Sequence, residues 1–477
     1  MKASLPGIAY VAELKTTRMP LCDQAPVLLE TPRPHGASWR SNFTWALSGN
    51  VVYAACQWGM IIALAKFSSS YMVGQFSLGL AIATPVFMFT NLQLRAVQGT
   101  DATRQYSFRE YLGLRVTTTL IGLAAIVWIT FAGRYQAGTA VIILAVALIK
   151  GIESLSDIFY GLFLLNDRLD QTGKSMMCRG MISVIVLSVG IYALRNLGES
   201  IVLLAAAWLA VLLGFDVRHG RHFAAVVANS APGSRAQRRW RPVWPRFSFR
   251  RQWNLVRLSL PLGIVMTLVS LNLSMPRYFI HASLGEHQLG LFSAMAYTTV
   301  AVATFADALG HSTIPRLSRL YAGGRLGDFR SSLLRLVAAG AAVSLAGLAM
   351  ARILGPTLLR ILFSAEYAAH ADVFVWLVAA AGISCVASLL HYGITSARRF
   401  GIQVPMFALV VGANALACAW LVPSRGLTGA AQAMVMASLV HLAATSGILL
   451  HLCFSTRHSP ARQQAAEMSL ENWEAGL

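Results

Sequence analysis

Twelve apolar runs divide this chain, and the connections between them alternate sharply in their content of Lys and Arg. The runs lie near residues 45–66, 74–94, 111–132, 140–165, 176–195, 200–215, 258–276, 288–311, 332–351, 372–396, 404–422 and 429–452. Most are about 20 residues long, the length of an α-helix that crosses roughly 30 Å of hydrocarbon. If a cation in the last turn of a run is counted with its neighbouring connection, the termini and even-numbered connections hold 30 of the 39 Lys and Arg residues, and the odd-numbered ones hold 7. Because cationic loops stay in the cytoplasm, the pattern predicts an all-α, multi-pass protein of a bacterial inner membrane with both termini cytoplasmic.

The bulk composition agrees with a membrane protein and explains the charge. The chain of 477 residues is 56% hydrophobic and only 12% charged, which excludes a single soluble domain. Its net charge of +20 is accounted for by the loop bias and by attraction to anionic membrane lipids. Seven Arg residues between positions 235 and 251 lie in one connection, so we expect no nucleic-acid partner.

The long basic connection divides the runs into two sets of six. We predict a disordered cytoplasmic extension (1–44), a six-helix bundle (45–215), the basic connection (216–257), a second six-helix bundle (258–452) and a cytoplasmic tail (453–477). The halves echo each other: VGQFS at 73–77 opens run two and LGLFS at 289–293 opens run eight, while Tyr-Gly pairs at 160–161 and 392–393 lie near the ends of runs four and ten. An even number of spans per half predicts bundles of the same orientation, related by an axis along the membrane normal, with a cavity between them.

Charged side chains inside the runs are candidates for function, because a charge at the bilayer centre costs roughly 2.5 to 3.5 kcal/mol on insertion scales. Lys150, Glu153 and Asp157 share run four and fall within about a 60° arc of one helix. Lys150 is spaced to pair with Glu153, whereas Glu153 and Asp157 repel if both are ionised. We expect this repulsion to help one carboxyl take up a proton, as a coupling group must. The triad therefore lines the cavity or couples transport, or it holds run four against its neighbours.

Three cations and one further carboxyl complete the candidate site. Lys66 lies at the outer end of run one, Arg95 at the inner end of run two and Arg277 at the outer end of run seven, flanking the spans that line the expected cavity. Arg binds phosphate through paired hydrogen bonds and Lys binds it as a point charge, although snorkelling to headgroups is an alternative for each. Asp307, followed by His311, is a weaker candidate for cavity lining or coupling.

No catalytic or cofactor motif is present. The chain has no Walker A loop, nucleophile elbow, HExxH motif or metal-ligand spacing, and its six cysteines form no CxxC pair. We therefore predict no metal, no cofactor and no enzymatic activity.

Several segments resemble the oligosaccharide flippases of the multidrug/oligosaccharidyl-lipid/polysaccharide exporter superfamily. The resemblance covers about residues 41–452 and rests on diffuse patterns. Those patterns are VGQFSL at 73–78, Leu94-Arg95, Thr100-Asp101, Lys150, ESLSD at 153–157, Tyr160-Gly161, MPRYFI at 275–280, Leu289-Gly290, Phe292-Ser293 and GLTGAA at 426–431.

This resemblance implies movement of a polyprenyl-pyrophosphate-linked oligosaccharide from the cytoplasmic to the periplasmic leaflet, for polymerisation into lipopolysaccharide O-antigen, capsule or exopolysaccharide. It implies that the cations meet the pyrophosphate and sugars, that the carboxyls of run four couple transport to an ion gradient, and that a polysaccharide polymerase is a partner. Two alternatives remain: a multidrug or cation antiporter of the same superfamily, which favours an acidic cavity, and a membrane-embedded polysaccharide polymerase. The longest outer connection, about residues 352–371, is short for such an enzyme.

Overall fold

The structure is helical throughout, as the sequence predicts. The computed structural model describes residues 39–101, 105–229, 244–397 and 400–455, and no strand occurs within these ranges. The first half contains α1 (Trp39–Phe67), α2 (Ser70–Asn91), α3 (Leu94–Thr100), α4 (Phe108–Ala132), α5 (Ala137–Leu165), α6 (Leu169–Leu194), α7 (Leu197–Val211) and α8 (Arg218–Asn229). The second half contains α9 (Phe249–Thr298), α10 (Val300–Ala322), α11 (Leu326–Leu362), α12 (Ala365–Ala368), α13 (Ala371–Ser396) and α14 (Gln403–Ser455).

The described helices account for all twelve predicted spans. Ten helical stretches are long and apolar enough to cross a membrane, so the chain is a multi-pass membrane protein. Two of the ten, those that contain α9 and α14, each turn sharply at a glycine, Gly285 with φ +83° and Gly426 with φ +59°. Such positive φ angles are open to glycine without steric cost. Counting the two parts of each broken stretch separately therefore gives twelve spans within the described ranges.

Helical structure enters both ends of the predicted basic connection. A π-helical segment (Leu212–Val217) joins α7 to α8, which ends at Asn229, and α9 begins at Phe249. Residues 230–243 and most of the predicted extension and tail lie outside the described residues. The segment before α9 packs on the start of α4, where the Arg246 amide donates to the Arg109 carbonyl at 2.8 Å. The domain boundaries stay predictions.

The two ends of the helical bundle, one at each surface of the membrane, are called the Lys66 face and the Arg95 face. The Lys66 face contains the end of α1 and the start of α2, whereas the Arg95 face contains the end of α2 and α3. The loop bias predicts that the first is periplasmic and the second cytoplasmic.

Helix α2 is the central contact between the halves. It packs extensively on α9 and also on α5 within its own half. Near the Arg95 face, Gly263 of α9 lies against Leu92. At mid-depth the Tyr278 hydroxyl donates to the carbonyl oxygen of Ala81. The contact therefore follows α2 over most of its length.

Close packing within the first half depends on small residues, because lipid tails supply no hydrophobic drive for helix association. Helices α1 and α6 meet at Gly49 and Gly173. A Cβ atom on Gly173 would lie 2.3 Å from the carbonyl oxygen of Trp45. The two backbones are thus as close as their atoms allow.

We expect Gly173→Ala to lower the melting midpoint of the detergent-purified protein, because the added methyl group forces α1 and α6 apart. Overpacking of this kind costs about 1 to 3 kcal/mol. Gly447→Ala is the matched control, since a Cβ atom there meets nothing within 4 Å and alanine favours the helix. Equal midpoints for Gly173→Ala and wild type would contradict the close α1–α6 contact.

Candidate transport site

Helix α5 carries a line of charged and polar side chains through the first half. Lys150 Nζ lies 2.8 Å from Glu153 Oε2, which confirms the pairing predicted from their spacing. The Tyr53 hydroxyl of α1 also donates to Glu153, at 3.3 Å. Glu153 therefore has partners from two helices.

Asp157, one turn further along α5, is held between two arginines. Its Oδ2 lies 3.0 Å from Arg115 Nη2, and its Oδ1 lies 3.6 Å from Arg95 Nη1. The Arg115 side chain is fully buried, whereas that of Arg95 is 35% exposed. Each carboxylate of α5 thus has its own cation, so their mutual repulsion is compensated. The repulsion expected between Glu153 and Asp157 is therefore no argument for proton uptake.

Arg115 also fixes the helix break that presents Arg95. Helix α2 ends at Asn91, and the next two residues, Leu92 and Gln93, have φ angles of +50° and +51°. Arg115 Nη1 donates to the Asn91 carbonyl at 3.1 Å and to its side-chain oxygen at 2.5 Å. Because one guanidinium contacts both the break and Asp157, Arg115 positions Arg95.

The Tyr160-Gly161 pair of α5 contacts Arg95 and the helix α3 that carries it. The Arg95 guanidinium lies over the Tyr160 ring, 5.5 Å from its centroid. A Cβ atom on Gly161 would lie 2.4 Å from the Gln98 side chain and 3.3 Å from the Cα of Arg95. The absence of a side chain at Gly161 therefore lets α3 rest on α5.

A second, deeper ion pair joins α6 to the π-helical segment. Arg179 Nη2 lies 3.1 Å from Asp216 Oδ2, with side-chain exposures of 1% and 0%. Ser175 donates to Asp216 at 2.6 Å, and Arg179 donates to Ser156. The Arg179 guanidinium lies over the Trp208 ring, 4.9 Å from its centroid. Sequence reasoning missed this pair.

The signal for that pair lies at the edges of two neighbouring runs. Arg179 is the fourth residue of run five, and Asp216 directly follows run six. Because a charge in the terminal turn of a run is counted with the neighbouring connection, neither Arg179 nor Asp216 is counted as a charge inside the membrane. Their opposite signs at the same end of adjacent antiparallel helices would have identified them.

Arg277 approaches the α5 line from the second half. Its guanidinium lies over the ring of Tyr297, 5.5 Å from the centroid, and the hydroxyl of the neighbouring Tyr278 donates to the Ala81 carbonyl of α2. Arg277 thus lies at the contact of α9 with α2, the helix that also packs on α5.

Lys66 and Asp307 lie apart from this group. Lys66 is exposed in the last turn of α1. It is separated from Arg95 by the 22 residues of α2, or about 33 Å. Asp307 is exposed on α10 and accepts a hydrogen bond from the Tyr392 hydroxyl at 2.9 Å. The side chain of His311 lies outside the described residues.

Comparison with curated proteins finds a relative from polysaccharide biosynthesis. The chain is 23% identical over 412 residues to the capsular polysaccharide biosynthesis protein CapF of Staphylococcus aureus, covering 84% of this chain and 96% of the relative. No protein-family model matches the chain.

Comparison with solved structures confirms the fold implied by the sequence resemblance. The lipid II flippase MurJ in an inward closed conformation superposes with a TM-score of 0.66 at 9% identity, over 89% of this chain and 91% of MurJ. An inward-facing multidrug resistance MATE family transporter of the MOP superfamily superposes with a TM-score of 0.64 at 12% identity, over 87% of this chain and 99% of that one. The all-helical transporter fold of MATE and MurJ is therefore the fold of this chain.

Removing one partner of the buried Arg179–Asp216 pair should strongly destabilise the protein. We expect Asp216→Ala to cost about 3 to 5 kcal/mol, because it leaves a buried guanidinium uncompensated. The melting midpoint in detergent measures the effect. Asp328→Ala is the control, because it breaks the exposed pair with Arg325 and exposed pairs contribute about 0 to 1 kcal/mol. Similar midpoints for both variants would argue against burial of the first pair.

Proposed function

We propose that this protein is a flippase that moves polyprenyl-pyrophosphate-linked oligosaccharide units across the bacterial inner membrane by alternating access. The observation that carries the proposal is the surplus of cations along α5. Among the described residues, Arg95, Arg115 and Lys150 pair with two carboxylates, Glu153 and Asp157, and Arg277 adds a cation from the second half. A net positive path through a membrane is suited to an anionic headgroup.

Arg95 is the residue best placed to meet the pyrophosphate first. Its contact with Asp157 is longer than a hydrogen bond, whereas Arg115 holds the same carboxylate at 3.0 Å. Arg95 can therefore exchange Asp157 for a phosphate oxygen while Asp157 keeps a cation. Phosphate–guanidinium contacts are among the stronger hydrogen bonds in proteins, since both partners are charged.

Lys150 and Arg277 are positioned to receive the headgroup at the next stage. Lys150 lies about seven residues from Asp157 along α5, or about 10 Å deeper in the membrane. Arg277 lies beside Tyr278, which bonds α2 near the middle of that helix. Lys66, on the opposite face, would attract the headgroup on release. Cations at successive depths form a path rather than one tight site.

The polarity of the path also separates this proposal from its alternatives. A multidrug or cation antiporter would favour an acidic cavity, whereas the α5 line is cationic. CapF belongs by name to capsular polysaccharide biosynthesis, and MurJ is by name a lipid II flippase. These names support a lipid-linked saccharide as substrate over a drug. A polysaccharide polymerase as downstream partner and anionic lipids around the basic loops belong to the same proposal.

We expect Arg95→Gln to lower transport about ten- to a hundredfold, because a charge-assisted hydrogen bond contributes roughly 1.5 to 3 kcal/mol. The measurement is the fraction of polyprenyl-linked oligosaccharide on the cytoplasmic leaflet, probed with a membrane-impermeant glycan-modifying reagent in deletion cells complemented with each variant. Arg95→Lys should lose less, since it keeps the charge without the paired donors.

Arg335→Gln serves as the control for this experiment, because Arg335 is exposed on α11, away from the α5 line. Wild-type transport by Arg95→Gln, at wild-type protein level, would remove Arg95 from the path. Accumulation of single repeat units on the periplasmic leaflet of deletion cells would instead favour a polymerase. A normal glycolipid distribution with altered drug sensitivity would favour the antiporter.

We further propose that Glu153 and Asp157 couple transport to an ion gradient, because they pair with Lys150 and Arg95, the cations of the proposed path, and an incoming cation can replace these pairs. Glu153→Gln and Asp157→Asn should both lower export of surface polysaccharide, and the transport that remains should no longer respond to an ionophore. Asp157→Asn should have the larger effect, because it leaves the buried Arg115 without its carboxylate. Export at wild-type level by both variants, with its ionophore response intact, would exclude coupling through these groups.

A further inference from the structure

The two echoed sequence motifs meet each other at the Lys66 face. Gly74 belongs to the motif that opens run two, and Gly290 belongs to the matching motif of run eight. A Cβ atom on Gly74 would lie 1.8 Å from the carbonyl oxygen of Glu286. A Cβ atom on Gly290 would lie 1.7 Å from the carbonyl oxygen of Ser70. Only glycine at both positions permits this approach.

The contact is reciprocal. Each glycine faces the carbonyl of the residue four positions before the other glycine. The glycine of each half therefore meets, in the other half, the position equivalent to the one that its counterpart meets. Such a reciprocal contact is typical of a two-fold axis. Since both segments run away from the same face, this axis lies along the membrane normal, between Gly74 and Gly290. The structure thereby agrees with the repeat predicted from the sequence.

Side-chain hydrogen bonds between the halves surround the two glycines. The Thr139 hydroxyl of α5 donates to Glu286 Oε1 at 2.6 Å and accepts from Gln75 Nε2 at 2.9 Å. The Ser70 hydroxyl donates to Glu366 Oε1 at 3.3 Å. Glu286 is therefore held both through its backbone, against Gly74, and through its side chain.

Glu366 has a second partner within its own half. His287 Nε2 lies 2.8 Å from Glu366 Oε1, and both side chains are about half exposed. This pair ties the start of the eighth span to the short helix α12. The elements of the second half that reach α2 and α5 at this face are thus joined to each other and can move together.

We propose that these residues form a clasp that closes the Lys66 face, and that its separation is the step that opens the transport path to that side. The clasp consists of Ser70, Gly74, Gln75 and Thr139 from the first half and Glu286, His287, Gly290 and Glu366 from the second. The proposal concerns the alternating-access part of the proposed function and leaves the identity of the substrate open.

The position and chemistry of the clasp suit a contact that must break and re-form. Halves related by an axis along the membrane normal separate most simply at that axis when they rock. The glycine contact contains no interlocking side chains, so it parts without rotamer changes. The hydrogen bonds that join the halves involve hydroxyl and carboxylate groups, which water at the open face can satisfy instead.

Distances between spin labels across the Lys66 face test the clasp. Labels are placed on Gly138→Cys in the first half, where a side chain meets nothing within 4 Å, and on exposed Ala369→Cys in the second half. The protein is purified into lipid nanodiscs with its six native cysteines replaced by alanine. We expect one dominant short distance in this background, and a gain of longer distances when Gly74→Ala or Gly290→Ala is added.

Gly412→Ala is the matched control, because it adds the same methyl group to a helix at a position where nothing lies within 4 Å. It should leave the short distance dominant. Thr139→Val removes the hydrogen bond to Glu286 with little change of volume, and it should also increase the population of longer distances. If the glycine variants do not fold, Thr139→Val decides the question.

Distance distributions identical to that of Gly412→Ala in every folded clasp variant would overturn the proposal. The measurement uses no substrate, so its failure would leave the lipid-linked substrate untouched. Conversely, wild-type transport by Arg95→Gln would weaken the substrate assignment and leave the clasp unaffected.

Discussion

The cost of placing charge in a low-dielectric interior determines the geometry of the first half. Asp157 on α5 lies inside a membrane-spanning helix, and a fully buried guanidinium, Arg115 of α4, compensates it. The same guanidinium holds the end of α2 at Asn91, and this break presents Arg95 beside Asp157. One buried ion pair thus connects three spans and positions the cation that we propose meets the headgroup.

A second constraint acts where the halves meet. Two helices approach closely only where side chains are absent, and at the Lys66 face this requirement coincides with a two-fold axis. Gly74 and Gly290 fulfil it reciprocally, each against the backbone of the opposite half. Buried ion pairs join the helices of the first half to one another, whereas the halves are joined at this face by backbone contact and a few hydrogen bonds. Alternating access is largely a rocking of one bundle against the other, so it needs stronger contacts within a bundle than between bundles at the face that opens.

The membrane fold and part of the candidate site were predictable because their signals are local in the sequence. Apolar runs of spanning length and the alternation of Lys and Arg indicated the helices, and the i, i+3 spacing indicated the pair Lys150–Glu153. The expected repulsion between Glu153 and Asp157 was wrong as an argument for proton uptake, since a partner from another helix compensates Asp157. The pair Arg179–Asp216 was not predicted, because each residue lies at the end of an apolar run, where charged residues are common.

The sequence by itself determined the number of spans, the all-helical class and the repeat, because each depends on periodicity and length along the chain. Only the tertiary structure decided which charges are paired, that Arg115 holds the break before Arg95, and that the echoed glycines contact one another. These outcomes depend on which helices become neighbours and at what depth their side chains meet. Electrostatic compensation and close backbone contact act over a few ångströms in space, between residues tens to hundreds of positions apart in the chain.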